Sequence, residues 1–164
     1  MELTRYPLAA NNFLFGVANF FVLPLPSTWE LVRGPFAPEV DRQARRGDTS
    51  WVQEGHAMYL LVNRGYRATI ELHIAVKPYS MPLQLPPQTA GWQRAHTEIG
   101  GHGADYVVGE QRRGWWPRKR IRGLCTAFYC DVLDRGISVE LIGEDGEEAH
   151  LREVLQALAQ LQCH

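Results

Sequence analysis

Three groups of residues in this 164-residue chain carry side chains capable of chemistry. The densest is cationic. Arg112, Arg113, Arg118, Lys119, Arg120 and Arg122, with Trp115 and Trp116 among them, place six of the seventeen lysines and arginines within eleven residues. Cations with interleaved aromatics grip phosphates while the rings stack on bases. The same composition describes a solvent-facing hairpin whose charges protect an edge and whose indoles pack over a sheet end. A formal net charge of -1 and a pI near 6.6 put no overall pull toward polyanions behind the first reading. Lys119 and Arg120 also point to opposite faces of a regular strand. The segment therefore reads as a structural hairpin, with contact to a protein or small ligand through Trp115, Trp116, Arg118 and Arg120 as the alternative and nucleic acid less favoured still.

The second group is histidine beside carboxylate. Glu71 and His73 share one face of a strand, and His56 falls across a hairpin from them, which is raw material for general acid–base work. His102, in Gly100-Gly101-His102-Gly103, sits where glycines let the backbone turn tightly and expose a side chain. No nucleophile elbow, phosphate loop or adjacent Cys–His pair of a known catalytic type accompanies them. An enzyme with a His/Glu site is thus an alternative to the main expectation, a non-enzymatic binding module.

The third group is Cys125, Cys130, Cys163 and His164. Structural zinc sites announce themselves with closely spaced cysteine pairs, whereas Cys125 and Cys130 lie five apart and face opposite sides of a strand. The expectation is small, buried, inert cysteines, with a Cys130–Cys163 redox pair as the alternative and no metal or cofactor required. An odd cysteine count fits a reducing compartment, and the chain opens without a signal pattern, so a cytoplasmic location is expected. The apolar run Phe13 to Pro26 contains Asn19 and ends in prolines. It is shorter than the roughly 20 residues that span a bilayer, so no membrane segment is expected.

The elements that must position these residues are those of one domain, 1–164. Hydrophobic content of 45% suits a packed core. Ile121 to Leu161 is the clearest stretch: two apolar runs around the turn DVLDRG, then the periodic segment EEAHLREVLQALAQL. Ile137, Val139 and Leu141 alternate with polar residues, as in a half-buried strand, and Leu151, Val154, Leu155, Leu158 and Leu161 form one helical stripe. Asp145 and Glu148 have capping-box spacing at the helix start. Upstream, HAMYLLVN and RATIELHIAV form a hairpin in which Ile70, Leu72, Ile74 and Val76 share a face. Gln93–Ile99 and Ala104–Glu110 read as short strands about a GGHG turn, and Phe13–Leu25 reads as a strand interrupted at Gly16 and Asn19 by a hairpin or bulge. Residues 1–12 read as an irregular lead-in, Ser27–Ala44 as a short helix broken near Pro35 and Pro38, and 77–92, with four prolines, as a loop. The sum is an α+β fold: a mostly antiparallel twisted sheet of about six or seven strands, with an amphipathic C-terminal helix and one or two short helices packed on it.

The run FFVLPLPSTWELV, apolar into Pro26 and Trp29, resembles the N-terminal strand and following tryptophan of the PsbP/Mog1-like α/β/α sandwiches. The later hairpins and the C-terminal helix agree with that group. The proline-rich 77–92 segment and the double-tryptophan basic hairpin depart from it. The resemblance implies a non-enzymatic protein that binds a protein partner, and a homodimer is a further form such binding can take.

Overall fold

A computed structural model of the chain describes residues 2–12, 16–32, 55–78, 92–113, 119–144, 146 and 148–164. Among the described residues nine strands follow one another: β1 Leu3–Asn12, β2 Gly16–Pro26, β3 Glu30–Val32, β4 Gly55–Asn63, β5 Ala68–Pro78, β6 Gln93–Ile99, β7 His102–Arg113, β8 Lys119–Cys130 and β9 Arg135–Glu144. Helix α1, Glu148–Ala157, and a 3-10 turn, Leu158–Gln160, close the chain. Strands β3 to β9 form one antiparallel sheet in the order β3-β4-β5-β9-β8-β7-β6, and β1 pairs with β2 as a separate hairpin.

The alternation seen in the sequence decides which way the sheet faces. Ile70, Leu72 and Ile74 on β5, Ile137, Val139 and Leu141 on β9, and Leu124 and Phe128 on β8 are all buried. The inner face they make is covered by α1, whose stripe Leu151, Val154 and Leu155 is buried as its spacing requires, by Leu158 of the 3-10 turn and Leu161 beyond it, where the expected helix has already ended, and by Leu8, Phe21, Leu23 and Leu25 of the β1–β2 hairpin. Polar groups tie the helix to the sheet. Arg152 donates to Glu148 at 2.7 Å one helical turn away and to the Tyr106 hydroxyl at 2.9 Å. Arg122 donates to Glu148 at 2.6 Å, and the Trp29 indole donates to Glu153 at 3.2 Å.

Four local expectations change. Residues 3–12 are strand rather than lead-in, because in a two-stranded sheet each strand keeps a free edge where Pro7, opposite Val22, loses no ladder bond. Its register skips Phe20 between the pairs Leu8–Phe21 and Ala9–Asn19, which is the bulge signalled by Asn19. Ser27 starts no helix. The Trp29 N–H donates to the Pro26 carbonyl in a tight turn, Trp29 and Leu31 are buried, and Glu30–Val32 pairs with β4, so tertiary burial overrides the capping signal. The remainder of that expected helix, to Ala44, lies outside the described residues, as does Asp145. The GGHG turn shrinks to Gly100-Gly101, both at positive φ, with His102 already paired to Ile99 in β7. A two-residue hairpin turn requires that conformation, which glycine adopts without a Cβ clash. Finally, β5 extends through Lys77 and Pro78 into the expected loop, whose residues 79–91 lie outside the described residues.

Candidate metal centre

The Gly100-Gly101 turn does more than reverse the chain. The Gly100 N–H donates to the carbonyls of both Leu158, which also accepts from the Leu161 N–H at 2.9 Å, and Ala159, each at 3.2 Å, where the helical segment ends. Leu161 then leaves the 3-10 turn with extended backbone, and Gln162 exchanges two hydrogen bonds with Val22 of β2, at 2.8 and 3.1 Å. This clamp delivers Cys163 and His164 to one corner of the sheet. There β7 begins with His102 and β8 ends with Cys130.

The four side chains converge. Their ligand atoms all lie within 4.8 Å of one another. Cys163 Sγ is 3.5 Å from Cys130 Sγ, 3.7 Å from His102 Nε2 and 3.4 Å from His164 Nδ1, and Cys130 Sγ is 3.6 Å from His164 Nδ1. A tetrahedral zinc with ordinary bond lengths separates two sulfurs by about 3.8 Å and a sulfur from a ring nitrogen by about 3.6 Å. The four edges that involve a sulfur, between 3.4 and 3.7 Å, lie within about 0.3 Å of those figures. Cys130 and Cys163 are fully buried, the His102 side chain is 13% exposed, and His164 is exposed.

The surroundings orient His102. Its Nδ1 lies 3.5 Å from a carboxylate oxygen of Asp131, in the turn after Cys130, and its ring stacks on Phe128 at 5.6 Å. An Nδ1–H directed at a carboxylate leaves the Nε2 lone pair facing the sulfurs, the arrangement that histidine ligands of metals generally show. Burial, with the hydrogen bond and charge of Cys130 added, pushes the Cys163 thiol up to about 12. Without a cation this thiol is therefore protonated at neutral pH.

The other sequence candidates are dispersed. Cys125 faces the opposite side of the sheet, 3.8 Å from Glu140, and burial followed by that carboxylate pushes its thiol up to about 12, so it is no nucleophile. Glu71 and His73 also lie on this outer face, with Oε2 and Nε2 3.4 Å apart. His56 takes its place opposite Ala75 in the ladder, and its side chain lies outside the description. Neighbouring them are Leu60, paired with Glu71, and Met58, paired with His73, and Val32 pairs with Leu60. These three apolar side chains are 37%, 64% and 41% exposed. Trp115, Trp116 and Arg118 lie outside the described residues. Arg120 is described, exposed, and 3.5 Å from Glu110.

The sequence groups the cysteines with His164 and leaves His102 apart, with Glu71 and His73. The structure brings His164 onto the sulfurs and adds His102 as a fourth side chain able to coordinate. The ligands come from three separated segments, so no local spacing marks them. The available signals were the adjacent Cys163-His164 pair and a histidine directly after a Gly-Gly turn.

No family model matches the chain, and no curated protein matches it. Among solved structures, the chain is similar to LpqN, involved in cell envelope biogenesis of Mycobacterium tuberculosis, with a TM-score of 0.50 at 13% identity over 98% of this chain and 90% of that one. At that identity the likeness concerns the fold. Among the described residues no helix is long and apolar enough to cross a membrane.

Proposed function

We propose that this chain is a non-enzymatic binding module stapled by a zinc ion held by His102, Cys130, Cys163 and His164. The observation that carries the reading is the convergence of two sulfurs and two ring nitrogens within 4.8 Å of one another, with four edges of 3.4 to 3.7 Å. Two thiolates with two imidazoles suit zinc, a borderline-soft ion without geometric preference of its own. Four protein ligands leave no open coordination position, which is the structural rather than the catalytic type. The ion would join the tail to the first residue of β7 and the last of β8, fastening both to a segment already paired with β2. Reduced cysteines at such a centre agree with a cytoplasmic setting.

The test is metal content. Protein purified in the presence of zinc should hold one ion per chain, and cobalt substitution should give the intense tetrahedral bands and thiolate charge transfer of such a ligand set. Cys130→Ser and His102→Ala should lose the ion, while Cys125→Ser should keep it. Absence of uptake, or equal loss in all three variants, rejects the site.

A second reading rests on the outer face. The strip Val32, Leu60 and Met58, with Glu71 and His73 beside it, supports contact with a protein partner or a second copy of this chain, as does the resemblance to PsbP/Mog1-like proteins. In the basic segment, Arg120 is paired to Glu110 and Arg122 to Glu148, which favours the structural hairpin over a nucleic-acid grip.

A further inference from the structure

We propose that the same two sulfurs form a redox-controlled release for the ion: a peroxide oxidises Cys130 and Cys163 to a disulfide and the zinc is ejected. The inference rests on the zinc reading and adds its regulation. Three observations support it. The sulfurs are neighbours at 3.5 Å, and a disulfide needs them at about 2.05 Å, so a small movement of the tail closes the gap. The third cysteine, Cys125, projects from the opposite face of β8, so the pairing is unambiguous among the three. The ligands are also unequally protected. His102, Cys130 and Cys163 are shielded, whereas His164 is exposed and sits over both sulfurs, at 3.4 and 3.6 Å. Departure of that one imidazole uncovers the thiolates without opening the core.

The chemistry balances with hydrogen peroxide as the oxidant. One zinc-bound thiolate attacks a peroxide oxygen, the O–O bond breaks, and a sulfenic acid forms while the departing hydroxide takes a proton to become water. The second thiolate attacks the sulfenic sulfur, the S–S bond forms, and a second hydroxide leaves, again protonated to water. The sulfur pair loses two electrons and the peroxide gains them. Two of four ligands are then gone, and His102 and His164 alone do not retain the ion. The tail stays attached to β8 through the new bond, so the fold survives the exchange of one staple for the other.

The experiment uses the full chain loaded with zinc and read by a chromogenic zinc chelator during peroxide addition, with peptide mapping of the thiols afterwards. The expected result is loss of one zinc for each Cys130–Cys163 disulfide formed, restoration of binding by a dithiol reductant plus zinc, and the same behaviour in Cys125→Ser. Zinc retained through oxidation overturns the proposal. So does release accompanied by sulfinic acids on separate cysteines or by a linkage through Cys125. A chain that takes up no zinc before oxidant is added rejects the metal reading itself, and the ejection step with it, which is distinct from a loaded chain that keeps its ion.

Discussion

Gly100 lies so close to Leu161 that a β-carbon on the glycine would sit 2.7 Å from the leucine carbonyl oxygen. This contact joins the turn that launches His102 to the tail that carries Cys163 and His164, and it makes glycine obligatory there for two reasons. Gly100 is at φ 57° and has no room. Its neighbour Gly101, at φ 82°, faces open space. Gly101→Ala should cost only the left-handed backbone penalty of about 1–2 kcal/mol. Gly100→Ala should cost that and displace the tail as well. Chemical denaturation should rank Gly100→Ala as the more destabilised, and zinc titration should show weakened uptake in that variant alone.

Asp131 places a carboxylate oxygen 3.5 Å from His102 Nδ1. Asp131→Asn keeps the size of the side chain and removes the charge facing Nδ1. Zinc affinity should fall by about 10–100-fold, as for other carboxylate partners of metal-bound histidines, with the unfolding midpoint of the metal-free chain little changed. Competition against a chelator of known affinity measures it, and an unchanged affinity would show that the carboxylate does not orient the ring.

Glu148 joins α1 to β8. The hydrogen bond from Arg152, with that from Arg122 added against a smaller opposing effect of burial, holds its carboxyl below the ordinary value of 4.5. A depressed carboxylate stabilises the fold above its unfolded value, and the contribution disappears as pH falls through the lowered one. Thermal unfolding followed downward from neutral pH should therefore show a loss of stability beginning near 4.5 and continuing below it. Glu148→Gln should flatten part of that slope and lower stability at neutral pH. Both partners are partly solvated, so the effect is modest and weakens with salt.

The strip on the outer face is exposed, so replacing it tests contact rather than folding. Met58→Glu with Leu60→Glu should shift stability by no more than about 0.5 kcal/mol per site. If this face meets a partner or a second copy, the double variant should lose that association in native mass measurement or cross-linking. Loss of folding instead would place these side chains in the core, and unchanged association would assign the contact to another surface.

Much of the architecture is local and was legible in the residues themselves. The alternation on β5 and β9 and the stripe on α1 are consequences of the two-residue and 3.6-residue periods, and burial follows directly from them. The Gly-Gly turn is local too, since glycine enters that left-handed backbone without the penalty other residues incur. What the sequence could not show is which separated segments meet. Ser27 carries a helix signal, yet Trp29 and Leu31 gain more from burial and pairing with β4 than a helix cap offers. Pro7 and Pro24 look like breakers, yet they sit harmlessly on the free edges of a two-stranded sheet. The metal centre lies at the far end of this scale. Its ligand types were all visible, but their geometry exists only because the Gly100–Leu158 and Val22–Gln162 hydrogen bonds bring the end of the chain back to where β7 starts and β8 stops. Spacing along the chain records covalent separation. Coordination depends on distance through space, and for His102, Cys130, Cys163 and His164 tertiary packing sets that distance.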